Sequence, residues 1–181
     1  MGIGMFPRLS LTVVLVSLLP GGLQAQPQMD EYSVKAAFLY NFTRFVEWPP
    51  EAFRSPSEPF SICVVGEDPF GHRLDDLAAG NAIGGRSITV RRVADARQAG
   101  DCHMVFVSSK ADKRILSSWE AAKPHGVLTV VDSGRRTSLG MIITFIIEDG
   151  KVRFEIDSAA TDRSGLHISA KLLSLAHAAK R

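Results

Sequence analysis

The segment FSICVVGEDPFGHRLDDLAAG, residues 60–80, sets the fold by placing a strand, a turn and a helix in succession. Residues 60–66 form a short apolar run that ends in glycine, which is typical of a buried strand. Asp68 is predicted as the helix N-cap, Pro69 as the first helical residue and Gly80 as the stop. The segment therefore predicts one strand–turn–helix unit.

The same alternation repeats along the chain. The runs RSITVRRV (86–93), CHMVFVSS (102–109) and VLTVVDS (127–133) are predicted strands. Between them, residues 94–101 predict a short helix or turn, and residues 111–126 predict a longer helix. Strands that alternate with helices indicate an α/β fold with a mainly parallel sheet flanked by helices.

The C-terminal part departs from this alternation. Residues 140–158, GMIITFIIEDGKVRFEIDS, predict two antiparallel strands joined by a tight turn at Asp149-Gly150. Residues 164–180 then predict a docked terminal helix. The apolar positions that would face the core are Leu166, Ile168, Leu172, Leu173 and Leu175.

The first 25 residues are typical of a secretory signal peptide. Arg8 supplies positive charge, an apolar run follows at residues 9–19, and Pro20-Gly21-Gly22 precedes the small-residue site LQA. The run is shorter than the roughly 20 residues of a membrane-spanning helix, so an uncleaved anchor is the weaker alternative. Cleavage after Ala25 would leave residues 26–181 as a single exported domain.

Charge and cysteine content narrow the function. The formal net charge is +2, and no basic run is long enough to follow a phosphate backbone, which argues against nucleic-acid binding. The chain has two cysteines, Cys63 and Cys102, and an exported protein would be expected to join them in a disulfide. Zinc would require two further ligands, and the five histidines show no metal-ligand spacing beside these cysteines.

The opening segment YSVKAAFLYNFTRFVEWPP, residues 32–50, predicts a helix from Tyr32 to Trp48 that two prolines follow. Helical spacing directs one set of apolar side chains to the core: Val34, Phe38, Phe42, Phe45 and Val46. A polar stripe on another side supplies the candidate contact residues Lys35, Asn41, Arg44, Glu47 and Trp48. This stripe is a solvated edge, a partner or ligand surface, or a catalytic site.

Two loops carry motifs of lower specificity. GEDPFG, residues 66–71, has the glycine spacing of a phosphate loop but lacks the Lys-Ser/Thr that must follow, so a capped helix start explains it. DSGRRTSLG, residues 132–140, follows a predicted strand, where open α/β sheets keep their ligand crevice. Arg135 and Arg136 could bind a carboxylate or phosphate there, or form a solvated basic loop.

An ordered set of blocks resembles the YfiR-like family of periplasmic regulators. The blocks are KAAFLYNFTRFVEWP (35–49), ICVVGEDPFG (62–71), GDCHMVFVSS (100–109), GMIITFIIEDGKVRFEID (140–157) and SGLHISAKLLSLA (164–176). Cys63 and Cys102 match the structural disulfide of that family, whereas a second cysteine pair found in some members is absent. Asp157 and Ala170 stand where the family pattern leads us to expect asparagine and serine.

The resemblance implies a non-enzymatic repressor without a cofactor. Such a protein would bind the periplasmic sensor region of an inner-membrane diguanylate cyclase, lower cyclic di-GMP and disfavour biofilm. An outer-membrane lipoprotein as second partner and a homodimer are further expectations from the family. The rival interpretation is a periplasmic small-molecule binding module that uses the Arg135-Arg136 loop or the strand-end crevice. An exported hydrolase has no supporting motif.

Overall fold

The computed structural model describes Met1 and residues 30–111, 125–134, 140–177 and 179–180. Residues 112–124 of the predicted longer helix, and the Arg135-Arg136 loop, lie outside these ranges. Two 3-10 turns, Pro50–Ala52 and Ala96–Ala99, accompany the following elements. In chain order they are α1 (Glu31–Phe42), β1 (Val46–Glu47), β2 (Phe60–Val65), α2 (Arg73–Ala79), β3 (Ala82–Ile83), β4 (Arg86–Val93), β5 (Met104–Val107), β6 (Leu128–Gly134), β7 (Ile143–Glu148), β8 (Lys151–Asp157), α3 (Ser158–Ser164), β9 (His167–Ile168), α4 (Ala170–Leu175) and β10 (Ala179–Lys180).

The main sheet confirms the predicted fold class. Its described strands follow the order β10-β8-β7-β6-β5-β2-β4-β3. Five adjacent strands, β7, β6, β5, β2 and β4, run parallel to one another. The β7–β8 pair is antiparallel, as the Asp149-Gly150 signal predicts. Both turn residues have positive φ, 49° and 69°, which is the requirement of a type I′ turn.

The strand order places a topological switch beside β2. From β2 the chain crosses to β4 on one side and then returns to β5 on the other side. In an open α/β sheet the ligand crevice lies outside the carboxyl ends of the two strands at such a point. Here those ends are at Val65 and Val107.

The two faces of the sheet bury separate apolar clusters. On one face, the ring of Phe42 in α1 lies 5.8 Å from Phe145 and 5.0 Å from Phe154. On the other face, Cys63 and Val65 of β2 pack with residues that flank or belong to β5 and β6. Alternating side chains of one strand thus serve both clusters, as expected of a strand covered on both sides.

The opening helix is shorter than predicted. It ends at Phe42, with Thr43 as C-cap, instead of continuing to Trp48. The chain then tightens into a turn, and Val46 pairs with Ile168 of β9 in a small antiparallel sheet. Of the predicted core face, Phe42 and Val46 are buried, whereas Val34, Phe38 and Phe45 are partly buried. Strand pairing with a distant segment therefore overrides the helical periodicity.

The second helix also starts later than predicted. Asp68 is not an N-cap: its carboxylate accepts a hydrogen bond from the Phe70 N–H in a local turn. Gly71 adopts φ 58°, a left-handed conformation that prevents a helix from running through it. Helix α2 therefore begins at Arg73, and it ends at Ala79 with Gly80 as its C-cap, as predicted.

The terminal segment is divided into shorter elements than the single predicted helix. Leu172 in α4 is 2% exposed and anchors this helix, but Leu175 is 60% exposed, so its predicted core position is wrong. Helix α3, which the sequence did not indicate, is capped by the Asp157 carboxylate on the Ala160 N–H. Aspartate and asparagine cap helices equally well, so the departure at Asp157 preserves the local structure.

Candidate partner-binding surface

Three residues of the predicted polar stripe are exposed around the end of α1. Asn41, Arg44 and Glu47 are all exposed. The Arg44 N–H donates to the Asn41 carbonyl at 3.0 Å, so the turn after α1 holds these two residues together. Glu47 lies in β1 immediately beyond that turn. We refer to Asn41, Arg44 and Glu47 as the α1-end surface.

The C-terminal segment adds charged and polar neighbours to the α1-end surface. Glu47 lies opposite the exposed His167 in the backbone register of the β1–β9 strand pair. The Ser169 N–H donates to the Phe45 carbonyl at 2.9 Å. The Lys171 Nζ lies 5.4 Å from the centre of the Phe45 ring. Sequence reasoning missed His167 and Lys171, because only the β1–β9 pairing brings these residues to the end of α1.

Trp48 is an anchor of the core more than a contact residue. Its ring is half-buried and lies edge-on to Phe60 at 4.9 Å. Its Nε1–H donates to the His103 carbonyl at 3.1 Å, so the only polar atom of the side chain already has a partner. Trp48 fixes the segment that follows the α1-end surface onto the sheet.

Lys35 does not belong to the exposed stripe, and its predicted exposure was wrong. Its side chain is 1% exposed, and its Nζ lies 2.8 Å from the Asp132 Oδ1 at the end of β6. The Nζ also pairs with the Glu31 carboxylate one helical turn earlier. The Tyr32 hydroxyl donates to the other Asp132 oxygen at 3.2 Å. Two carboxylates allow the ammonium to be buried.

The environment of this cluster shifts two pKa values upward. Burial alone would lower the pKa of Lys35, but its hydrogen bonds to Asp132 and Glu31 outweigh burial and raise it. Burial, followed by the negative charge of Asp132, raises the pKa of Tyr32. Both groups therefore stay protonated at neutral pH, and the cluster joins the start of α1 to the carboxyl edge of the sheet.

The carboxyl ends of the strands beside the topological switch carry a second ion pair. The Lys110 Nζ lies 2.6 Å from the Glu67 carboxylate, and both side chains are largely exposed. Gly66 has φ 91°, and a Cβ there would stand 3.2 Å from the Ala111 Cβ, so only glycine fits at this strand end. Among the described residues, no three potential metal-ligand side chains come together. Ligand binding here stays a prediction.

The predicted disulfide is confirmed. Cys63 in β2 and Cys102 just before β5 are bonded; their Cα atoms are 6.0 Å apart and their positions differ by 39 in sequence. Both cysteines are buried. The bond ties the central strand to its neighbour near the start of β5.

A buried histidine that the sequence did not single out lies behind Trp48. The His103 ring stacks on Phe53 at 4.3 Å and on Phe60 at 5.1 Å. Its Nδ1 accepts a hydrogen bond from the Ser61 N–H at 3.0 Å. Burial lowers the pKa of His103 below its ordinary value of 6.5, so the neutral ring is favoured in the folded protein.

Comparison with known protein families identifies the family of this chain. The sequence profile of the YfiR/HmsC-like family matches residues 32–177, a range that includes the disulfide, the α1-end surface and helix α4. The chain belongs to the YfiR/HmsC-like family. The resemblance seen in the sequence blocks is thereby confirmed.

Members of the YfiR/HmsC-like family are in general periplasmic, and they are regulators, not catalysts. They act with partner proteins in cyclic di-GMP signalling. In the parts of the chain that the structure describes, no helix combines the length and apolar character needed to cross a bilayer. Functional residues of such a regulator are therefore expected on its exposed surfaces, where partners bind.

Proposed function

We propose that this protein is a periplasmic repressor that binds the sensor region of an inner-membrane diguanylate cyclase and holds the enzyme inactive. The observation that carries the proposal is the α1-end surface, which lies within the family match. Asn41, Arg44 and Glu47 project to solvent, while Phe42 and Val46 beside them are buried. A rigid core thus presents charged side chains of both signs to a partner.

Repression requires unequal binding to the two states of the cyclase. A ligand with the same affinity for the active and inactive conformations shifts nothing, however tightly it binds. We infer that Arg44 and Glu47 contact groups that come together only in the inactive conformation. Exposed charges of this kind act mainly on specificity and association rate, and their removal leaves the fold intact.

Export is part of the same proposal. Residues 1–25 would be removed as a signal peptide, so the mature chain would begin at Gln26 in the periplasm. The Cys63–Cys102 disulfide supports this location, because such bonds persist in oxidising compartments. Mass spectrometry of the exported protein tests it, and an intact Met1 in the membrane fraction would contradict it.

The regulatory test uses a strain that lacks the gene. Deletion should raise cyclic di-GMP, and the wild-type gene should restore the low level. Arg44→Glu and Glu47→Lys should restore it less well, with unfolding free energies within about 0.5 kcal/mol of wild type. Arg91→Glu is the matched control, because Arg91 is exposed on β4, away from the α1-end surface. An unchanged nucleotide level in the deletion strain, with the cyclase expressed, would refute repression.

A small-molecule binding module is the second candidate. The strand order supports it, because open α/β sheets bind ligands at a switch such as the one beside β2, where the exposed Lys110–Glu67 pair lies. This candidate predicts that a ligand raises the melting temperature with no partner protein present. The outer-membrane lipoprotein and the homodimer remain secondary proposals, and each would be tested by co-purification and sedimentation.

A further inference from the structure

A groove runs between α1 and β8, on the face of the sheet that α1 covers. It has a volume of about 610 Å³, within the usual range of ligand sites. Apolar side chains of α1 and of the hairpin line it, namely Val34, Phe38, Ile147 and Val152. Ile147 is 41% exposed, an unusual position for a large apolar side chain on a strand.

Among the described residues, one side of the β8 backbone is unpaired along this groove. On one side β8 pairs with β7 along its whole length, but on the other side β10 pairs only with Ile156 and Asp157. The His177 N–H donates to the Phe154 carbonyl at 2.9 Å, so the backbone groups of Phe154 point away from β7. Those of Val152 point the same way, because alternate residues of a strand share a side. Within the described ranges no strand pairs with Val152 at this edge.

Two cations flank the open edge. Lys151 and Arg153 are exposed and, by the alternation of the strand, project to the sheet face opposite Val152. In the described part of the chain, neither side chain pairs with a carboxylate. The acidic residues at the other rim are already engaged, since Asp30 binds Arg73 and Glu31 binds Lys35. Lys151 and Arg153 therefore carry positive charges at the β8 edge that form no ion pair with a described carboxylate.

We propose that an extended segment of a partner protein, with alternating apolar and acidic side chains, adds to β8 as an extra strand in this groove. Main-chain hydrogen bonds to Val152 would supply affinity, and the pleat dictates the sequence pattern. Apolar side chains on the α1 side contact Phe38, Val34 and Val152, which line the groove. Acidic side chains on the other side lie beside Lys151 and Arg153. The identity of the partner as a signalling protein rests on the proposed function, whereas the recognition chemistry does not.

The experiment uses the full mature protein and a capped peptide of alternating valine and glutamate. Amide exchange measured by NMR should show rapid exchange at Val152 in the free protein and about tenfold slower exchange with saturating peptide. A peptide methylated on its backbone nitrogens should not bind, because it cannot donate to the edge. The peptide with lysine in place of glutamate should bind about tenfold more weakly than the valine–glutamate peptide.

Variants of the protein separate this site from non-specific binding. The double variant Lys151→Glu/Arg153→Glu should weaken the valine–glutamate peptide about tenfold, whereas Arg91→Glu on β4 should leave its affinity unchanged. Equal affinity in all three proteins, or no slowing at Val152, would overturn the proposal. Slow exchange at Val152 before peptide is added would also overturn it, since a segment of this chain or a second copy would then cover the edge.

A second arm keeps this proposal distinct from the repressor proposal. The purified periplasmic region of the cyclase is added in place of the peptide. Binding of the peptide without binding of the cyclase region supports the groove and counts against the repressor. Binding of the cyclase region without slower exchange at Val152, in a protein that also fails to bind the peptide, supports the repressor and overturns the groove.

Discussion

The Lys35→Met variant should have a much lower free energy of unfolding than the wild type, although the two side chains are of similar length. The Lys35 Nζ is the positive partner of Asp132, whose side chain is 3% exposed, and the distance between them is 2.8 Å. In the variant the Asp132 carboxylate loses the ammonium and keeps the hydrogen bond from the Tyr32 hydroxyl. A buried charge that loses its counter-charge costs about 3–5 kcal/mol.

The double variant Lys35→Met/Asp132→Leu distinguishes the lost ion pair from lost packing. Removing both charges leaves no buried ion without a partner, so we expect this variant to recover most of the lost stability. At neutral pH the contribution of the charged Lys35 to the free energy of unfolding is fully present. Its raised pKa means that the contribution is retained below its ordinary value of 10.5 and is lost as pH rises through the folded value.

Urea unfolding at neutral pH, followed by circular dichroism, measures both variants. The single variant should lose about 3–5 kcal/mol, roughly 10 °C in melting temperature for a domain of this size. A loss below about 1 kcal/mol, or a double variant no more stable than the single one, would show that the pair does not join α1 to β6.

Three further predictions follow from the core. Replacing Cys63 and Cys102 together by alanine should cost about 2–5 kcal/mol in urea unfolding, and thiol labelling of the native wild type should find no free thiol. Phe42→Ala should cost about 3–5 kcal/mol because Phe42 is 1% exposed, whereas the half-buried Phe45→Ala should cost clearly less; equal losses would contradict the packing. His103 has a lowered pKa, so its contribution to stability is fully present above pH 6.5 and is lost as pH falls through the folded value. The His103→Phe variant should therefore lose less stability in acid than the wild type. Parallel profiles of unfolding free energy against pH for the two proteins would refute this.

The features that the sequence predicted well depend on local chemistry. Strand β2 is a buried apolar run bounded by Gly66, and the β7–β8 turn needs the positive φ that Asp149-Gly150 provides. The disulfide followed from the presence of two cysteines in a chain with a predicted export signal. The strand and turn signals lie within a few residues of the structure that they specify. The disulfide could be predicted without knowing how far apart the two cysteines are in the fold, because they are the only two in the sequence.

The features that the sequence did not predict depend on partners far away in the chain. Lys35 is buried because Asp132, 97 residues later, neutralises it, and helical periodicity contains no trace of that contact. Helix α1 ends early because Val46 pairs with Ile168. The groove beside β8 likewise requires the strand order, in which no described strand pairs with Val152 on the side away from β7. Local patterns therefore gave the elements, while the candidate surfaces needed the three-dimensional arrangement.

The most direct test of the repressor proposal is a titration of the purified periplasmic region of the cyclase with the mature protein. We predict saturable binding by the wild type, binding about tenfold weaker by Arg44→Glu, and wild-type affinity for the control Arg91→Glu. All three proteins should have the same melting temperature, since these side chains are exposed. Absence of binding by the wild type, or equal affinity of wild type and Arg44→Glu, would contradict the assignment of the α1-end surface as the site of repression.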